Sequence, residues 1–595
     1  MLLSALKEYA KALPEDERTP AMYARQPVKY VVDLDRQGRF LAIVSTATGA
    51  RGREARGTPL VTPLVGNRTV KIVATLLMDN AEYALGVGRE TSRPDQVRLR
   101  HAAFVEAVRA CVAATGVQAV QAVLTFLQGP DANPFPPPPE FDPTANVTFR
   151  VDGDFPFSVP EVQAYWARIN GAQVDGGEPA ELGRALACLL CGRVQPALRR
   201  IPWKFKNIPG GQTSGTALIS ANANAFESYG LAESLIAPLC YACAEGFSKG
   251  LAALIEGEST HLRRDPLLYV FWSRSGGFSP LSFLERAEPD EVKELLRAVD
   301  TARTGSVRQL DPERFYAVSL AGSGGRLAVR DWIDTTVSEA KAHLARFFRL
   351  QAVADPAQPE QPRVFAAWQL ASATVRQGGQ DKPAADVERA LYRAALAGGP
   401  IPLSVLFAAV RRFRAEHFGA PGFVNRARIA LVKLVVLSQE DSRWKEGEMV
   451  TLDREERRPA YLCGRLLAVL EDAQRRALGD VNATIVDRFY GSASSTPIAV
   501  FGRLLRGAQA HLARLRRDQP PAYRALQTEI QQILGGLPEQ RGGPAFPAML
   551  SLRDQGLFAL GYYHQRAYIF TRREPAVGDS AADTARSSSR SRAGS

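Results

Sequence analysis

The sequence predicts a multidomain α+β protein, with a mixed α/β N-terminal part followed by a C-terminal α-helical bundle. Three observations carry this. The chain has 595 residues, more than one hydrophobic core serves, so two to four domains are expected. Strand-like alternation recurs between residues 28 and 332. From about residue 336 onward the apolar residues recur at helical spacing instead.

The elements follow in order. "MLLSALKEYAKAL" interleaves charged Lys7, Glu8 and Lys11 with leucines at amphipathic-helix spacing, unlike the unbroken apolar core of a signal peptide. "VKYVVDLDRQGRFLAIVS" alternates on both sides of Arg36-Gln37-Gly38 and predicts a β-hairpin. "GARGREARGTP" is a basic, glycine-flanked loop. "MDNAEYALGV" opens a helix, with Asp79 and Glu82 spaced as a capping box. "QGPDANPFPPPPEFDP" reads as a stiff, extended connector. "NVTFRVDGDFPF" resumes strand character before a helix around Trp166.

"PLLYVFWS" and "FYAVSLAGSGGRLAVRDW" predict a second piece of sheet. Boundaries are expected in "ADPAQPEQP" and near "SRWKEGEMV". The expected domains are residues 1–353, a helical connecting region 354–448, a helical bundle 449–575 and a disordered tail 576–595. No stretch is apolar for long enough to span a bilayer, and six cysteines in so long a chain fit the reducing cytosol, so a soluble cytoplasmic protein is expected.

Catalytic apparatus is hard to find. The six histidines are scattered, and the sequence contains no P-loop, no G-x-S-x-G elbow and no H-x-E with paired cysteines. "GSGGR" at 322–326 is a glycine loop of the kind that cradles phosphate, but is more often a turn. Two C-x-x-C pairs, Cys188/Cys191 and Cys240/Cys243, are enough to close a four-cysteine zinc site. The second pair, however, lies in a segment that reads as a buried helix, where cysteine behaves as a small apolar residue. No metal and no cofactor are therefore assigned. "NANAFESYG" reads as a turn and helix entry, with Phe226 and Tyr229 in the core.

Charge is the strongest signal. The net charge is +12 with a pI near 9.5, which suits an acidic polymer. From Met449 to Ser595 there are 21 arginines, 14 acids and no lysine. On a helical wheel of "AVFGRLLRGAQAHLARLRR", Phe501, Leu504, Leu505, Ala508, Leu512 and Leu515 share one face. Arg503, Arg506, Arg514 and Arg517 gather opposite, within an arc of about 80°. Asp518 reads as the first acid beyond the helix, leaving that face unopposed. A row of arginine forks matches phosphate oxygens. Further DNA-binding candidates are Arg51, Arg53 and Arg56 in the basic loop, the segment with Asn67, Arg68 and Lys71, and Lys204 and Lys206 in "WKFKN".

Several of these stretches are also familiar together. "DNAEYALGV", "NANAFESYG", "RLAVRDW", "NATIVDRFYGSASSTP" and "FPAMLSLRDQGLFALGYYHQRAYIF" resemble, in this order, the large subunit of the type I-C CRISPR Cascade complex. The resemblance runs from the first helix to about residue 572. It implies a non-catalytic part of a ribonucleoprotein in antiviral defence, in which a CRISPR guide RNA reads the target by base pairing. The large subunit of such a complex recognises the protospacer-adjacent motif in double-stranded target DNA, assists duplex opening into an R-loop and steadies the displaced strand. Implied partners are the backbone, repeat-processing and small subunits and a separately recruited helicase-nuclease, with no membrane. The sequence departs from the family before "LLMDN", where members often carry Lys and Asn and this chain has Val73 and Thr75. The rival from the residues alone is a stand-alone metal-dependent nuclease whose acids converge in the fold.

One more expectation concerns Met449. Lys445-Glu446 can be encoded AAG-GAG, a ribosome-binding sequence at workable spacing from an ATG. The resemblance implies the same, because these systems commonly obtain the small subunit by an internal start. A second product, Met449 to Ser595, is therefore expected.

Overall fold

In the computed structural model the described residues are 1–14, 18–49, 54–65, 72–130, 135, 137–138, 140–171, 182–221, 223–274, 276–304, 313–355, 358–376, 380–416, 423–440, 442, 448–479, 483–540 and 543–571. They form two compact units. One takes Met1–Val270 and Val318–Trp332, the other Phe271–Ala317 and Ile333–Ser595.

The first unit opens with α1 (Leu2–Ala12), β1 (Tyr23–Val28), β2 (Tyr30–Leu34), β3 (Phe40–Ser45), β4 (Thr58–Pro63) and β5 (Met78–Asn80). Then come α2 (Ala81–Ala84), α3 (Pro94–Thr115), α4 (Gln118–Gln128), β6 (Asn146–Val151) and α5 (Pro160–Gly171). The expected hairpin is β2–β3, and Gly38 reverses the chain at φ 81°. A Cβ on Gly38 would meet Ala122 O at 2.4 Å, so the turn also needs glycine to lie against α4. The sheet order is β3-β2-β6-β5, with β2 parallel to β6 and the outer pairs antiparallel. Its core gathers Val32, Leu34, Phe104, Phe126 and Phe149, all nearly inaccessible. In the proline-rich stretch Phe135 packs edge-on against Phe40 and Phe126, so the connector contributes to this core. The cap of α2 is Asn80, whose side chain accepts from the amides of Glu82 and Tyr83. Asp79 instead accepts from the amide of Thr75, and Glu82 pairs with Arg100 and Ser92. The helix thus takes its cap one residue later than expected, and the expected Asp79–Glu82 box is replaced by the single side-chain cap of Asn80.

The unit continues with β7 (Leu182–Ala187), β8 (Val194–Leu198), α6 (Tyr241–Glu256), β9 (His261–Arg264) and the first part, to Val270, of β10 (Leu267–Ser273). α1 lies so close to α6 that a Cβ on Gly250 would sit 2.1 Å from Leu6 O. All seven residues of β10 are buried, as its unbroken apolar run requires.

The second unit is mainly helical. It includes α7 (Leu281–Glu285) and α8 (Pro289–Thr304), and it shares with the first unit β11 (Arg314–Ser323) and β12 (Arg326–Thr336). The sheet order there is β12-β11-β10-β9. α9 (Val337–Gln351) begins at a capping box of Thr336 and Glu339, where helical spacing takes over in the sequence. The stretch expected as a boundary forms an antiparallel ribbon, β13 (Val353–Asp355) and β14 (Gln358–Arg363). α10 (Ala367–Ser372), α11 (Ala385–Ala397), α12 (Leu403–Ala415) and α13 (Phe423–Ser438) follow. The last elements are α14 (Pro459–Leu478), α15 (Ile485–Ala493), α16 (Pro497–Asp518), α17 (Pro520–Gly535), the short strands β15 (Glu539–Gln540) and β16 (Gly543–Pro544), and α18 (Leu552–Thr571). α14 and α18 touch backbone to backbone: a Cβ on Gly464 would meet Phe558 O at 2.0 Å, and one on Gly561 would meet Tyr461 O at 2.2 Å. Among the described residues no helix is long and apolar enough to cross a membrane.

Candidate functional site

In the first unit the chain between β8 and α6 carries little regular structure but is firmly closed. Phe205 and Thr216 exchange both backbone hydrogen bonds at 2.8 Å. Across this bridge Trp203 and Phe205 point inward, while Lys204 and Lys206 point to solvent, the alternation of an extended strand. The Trp203 ring lies 5.3 Å from that of Tyr241, which anchors the bridge to the start of α6. The glycine loop 322–325 is the turn between β11 and β12. Its Gly322 amide donates to Pro209 O at 2.8 Å, and a Cβ there would lie 2.3 Å from Gly211 N. That glycine is required by close backbone approach, and its amide is already used.

Residues 223–230 are all exposed, which overturns the core placement of Phe226 and Tyr229. Tyr229 is 98% exposed and Phe226 43%. The base of the loop is held by buried Ser234, whose hydroxyl donates to Ile219 O and accepts from the Ile201 amide. At the tip, Leu231 N bonds Ser228 O around Tyr229 at φ 54° and Gly230 at φ 68°, the two left-handed positions of a tight hairpin turn. A tyrosine in that conformation stores about 1 kcal/mol of strain or more. Arg326 lies 3.6 Å over the Phe226 ring. Behind the loop Glu233 pairs with Arg199 and Arg200. Burial alone would raise its carboxyl pKa, but the two guanidiniums hold it below the usual range. The same unit thus exposes the aromatics Phe226 and Tyr229, with half-buried Arg326 over the Phe226 ring, and separately the lysines Lys204 and Lys206. The sequence missed the two aromatics and Arg326. The Tyr-Gly pair is a turn signal, and turn residues point outward.

The other candidates are placed as follows. Arg51, Arg53, Asn67, Arg68 and Lys71 lie outside the described residues. Arg56 is exposed, at the end of a short 3₁₀ turn before Gly57 at φ 89°. Arg503, Arg506, Arg514 and Arg517 all lie on the exposed side of α16 in the second unit, opposite buried Phe501, Leu504, Ala508, Leu512 and Leu515. The face is not unopposed, however. Asp518 is the last residue of the helix and pairs with Arg514 at 3.5 Å and Arg517 at 2.7 Å. Hydrogen bonding and charge from Arg517 hold its carboxyl below the usual range. Arg503 lies over the Phe489 ring at 5.4 Å.

The two C-x-x-C pairs converge. Their four sulfurs lie within 4.8 Å of one another. Cys188 and Cys191 sit on the turn of the β7–β8 hairpin, and Cys240 and Cys243 sit at the cap and first turn of α6. The metal-free assignment rested on treating Cys240 and Cys243 as core residues of a helix interior. They stand at its N-terminus instead, facing the hairpin. Burial raises the Cys188 thiol, but the amides of Cys240, Cys191 and Leu190 outweigh it and bring its pKa down to about 6. Burial pushes the Cys240 and Cys243 thiols up.

Among the described residues this is the one group of His, Cys, Asp or Glu arranged to hold a metal ion. His101, His261 and His343 each share Nδ1 with a backbone carbonyl at 2.8–3.0 Å, a structural use.

The fold and these features define a multidomain α+β protein with an exposed aromatic loop. A family model described as CRISPR-associated protein (Cas_Csd1) matches residues 6–570, and the chain belongs to that family. No curated protein matches it.

Proposed function

We propose that this chain is the non-catalytic large subunit of a type I-C Cascade complex. In that complex it recognises the protospacer-adjacent motif in duplex DNA, assists opening and steadies the displaced strand. It works beside the guide RNA and the backbone, repeat-processing and small subunits, and it helps recruit a separate helicase-nuclease. The observation that carries this, given the family, is the exposed loop 223–230 with Tyr229 held outward in a strained turn, in the same unit as the exposed Lys204 and Lys206. Outward aromatics stack on unpaired bases, and exposed lysines neutralise phosphates. The loop arginines Arg51, Arg53 and Arg56 and the segment of Asn67, Arg68 and Lys71 remain candidates for the same duplex.

The test uses the reconstituted complex and target duplexes with correct or scrambled motifs. Changing Lys204 and Lys206 to alanine should weaken all duplexes alike and lower the slope of log K against log salt by about 2. Tyr229→Gly should weaken the opened state by about 1–3 kcal/mol. The same change should raise stability by several tenths of a kcal/mol or more, because glycine accepts this conformation freely. Opposite signs for binding and stability mark a residue kept for contact. Binding unchanged in both variants would remove the loop from the interface. Cleavage by the isolated chain with Mg²⁺ or Mn²⁺, lost on chelation, would favour the nuclease instead.

A further inference from the structure

The four cysteines are not used by the proposed function, yet they come from two separate supports built for one purpose. Cys188 and Cys191 bracket a tight turn, in which Gly192 N donates to Cys188 O at 2.8 Å and Gly192 adopts φ 71°. That glycine lets the chain reverse immediately after the second sulfur. Cys240 and Cys243 stand at the N-terminus of α6, where amides with no intrahelical acceptor and the positive end of the helix dipole favour anionic sulfur.

The distances suit a single ion. Metal–sulfur bonds of about 2.3 Å in a tetrahedron place sulfurs roughly 3.8 Å apart. Cys191 Sγ and Cys240 Sγ are 3.9 Å apart, and all six cysteines are free of disulfides. Cys188, Cys240 and Cys243 are buried and Cys191 is half-buried.

The surroundings supply donors. Lys7 Nζ of α1 lies 3.0 Å from Cys243 Sγ, Gln195 Nε2 lies 3.4 Å from Cys191 Sγ, and the Cys240 amide lies 3.5 Å from Cys188 Sγ. An ammonium group directed at a buried neutral thiol gains little, whereas one directed at a metal-bound thiolate offsets charge. A divalent ion with four thiolates carries a net charge of −2, and Lys7 neutralises half of it.

We propose that Cys188, Cys191, Cys240 and Cys243 bind one structural zinc ion, and that Lys7 ties the N-terminal helix to this centre. Four protein ligands leave no position for water, which sets the site apart from a catalytic one. The ion joins the β7–β8 hairpin to α6, and α6 in turn carries the chain at Thr19, Pro20 and Met22 through Lys249 and Glu245. Lys7 is an outer partner of the kind that tunes metal retention.

The test uses full-length protein purified without chelator. Elemental analysis should find one zinc per chain, retained in Cys463→Ser and lost in the double variant Cys188→Ser/Cys243→Ser. The reduced, metal-stripped chain should take up Co²⁺ with sulfur-to-metal charge-transfer bands and tetrahedral visible bands, both displaced by Zn²⁺. Lys7→Gln should keep stoichiometric zinc yet bind it about 10-fold or more weakly in chelator competition. If the serine variants misfold, the cobalt spectrum of the unaltered chain still decides. The proposal fails if that chain holds no zinc and gives no thiolate–cobalt spectrum. It also fails if iron takes the place of zinc, if mass spectrometry finds these cysteines in disulfides, or if the double variant folds and keeps its zinc. None of these readouts depends on nucleic-acid binding.

Discussion

Lys433 is fully buried on α13, its ammonium donating to Ala352 O at 2.6 Å. Burial pulls its pKa from 10.5 down to about 7. Burial, with the Lys433 charge second, likewise lowers His564 to about 3 from 6.5. Both groups fold preferentially without their proton. The unfolded chain therefore binds more protons between pH 7 and 10.5 at Lys433, and between pH 3 and 6.5 at His564. Stability from each is fully present above its unfolded pKa and is lost as pH falls toward its folded pKa. Between pH 7 and 9 the unaltered chain should gain about 2 kcal/mol through Lys433, at about 1.4 kcal/mol per proton per pH unit. In Lys433→Met that rise should flatten, as read from urea midpoints at the two pH values. Stopping at pH 9 avoids the Cys463 thiol, which burial pushes up to about 12 and which acts with the opposite sign above its ordinary value of 9.0. An equal slope in both proteins would mean that Lys433 keeps its charge in the fold.

At the scale of an element, α16 shows what patterning reveals and what it conceals. Its buried and exposed faces follow from a period of 3.6, because apolar residues at that spacing have one stable placement. Its last residue did not follow, since Asp518 sits where a helix end depends on the next turn's backbone. Asp518→Asn should release Arg514 and Arg517 and tighten single-strand binding modestly, because solvent screens an exposed pair that competes with the strand. Glutamate at Arg503, Arg506, Arg514 and Arg517 should abolish that binding with the bundle intact, as checked by circular dichroism and by titration at two salt concentrations. Normal binding in the glutamate variant would make the face merely solvated. The same division holds elsewhere. β10 and the β2–β3 hairpin were legible because a local run of side chains dictates them. Tyr229 and Phe226 were not, because whether an aromatic is covered depends on elements far along the chain. The cysteine spacing was legible pair by pair, but the meeting of Cys191 with Cys240, 49 residues away, belongs to the tertiary fold.

For the whole molecule, the expected product from Met449 gains a physical condition. Met449 is buried, and Val450 O accepts from Ala354 N at 2.9 Å, so the full chain uses this junction structurally. A fragment starting here keeps the α14–α18 seam. It loses the cover over Gly556 of α18, which rests against Leu406 of α12 and Val432 and Val436 of α13. We expect mass spectrometry to find the fragment with the full-length chain, and light scattering of the isolated fragment to show concentration-dependent association through the bared face. Recoding Lys445-Glu446 synonymously and changing Met449→Leu should remove it. If no such fragment arises from the unaltered gene, the internal start is absent. A last consequence concerns synthesis. The first unit is complete only when Trp332 has emerged, and by then residues 271–317 of the second unit are already out and waiting for a partner segment that begins at Ile333. At roughly 5–20 residues per second, α9 and α10, which pack on α8 and α7, take a few seconds to arrive. During that interval the ribosome holds a finished unit with α7 and α8 attached and uncovered, a natural client for a chaperone. The stretch from Met449 onward runs without interruption, so a chain begun there never passes through that state.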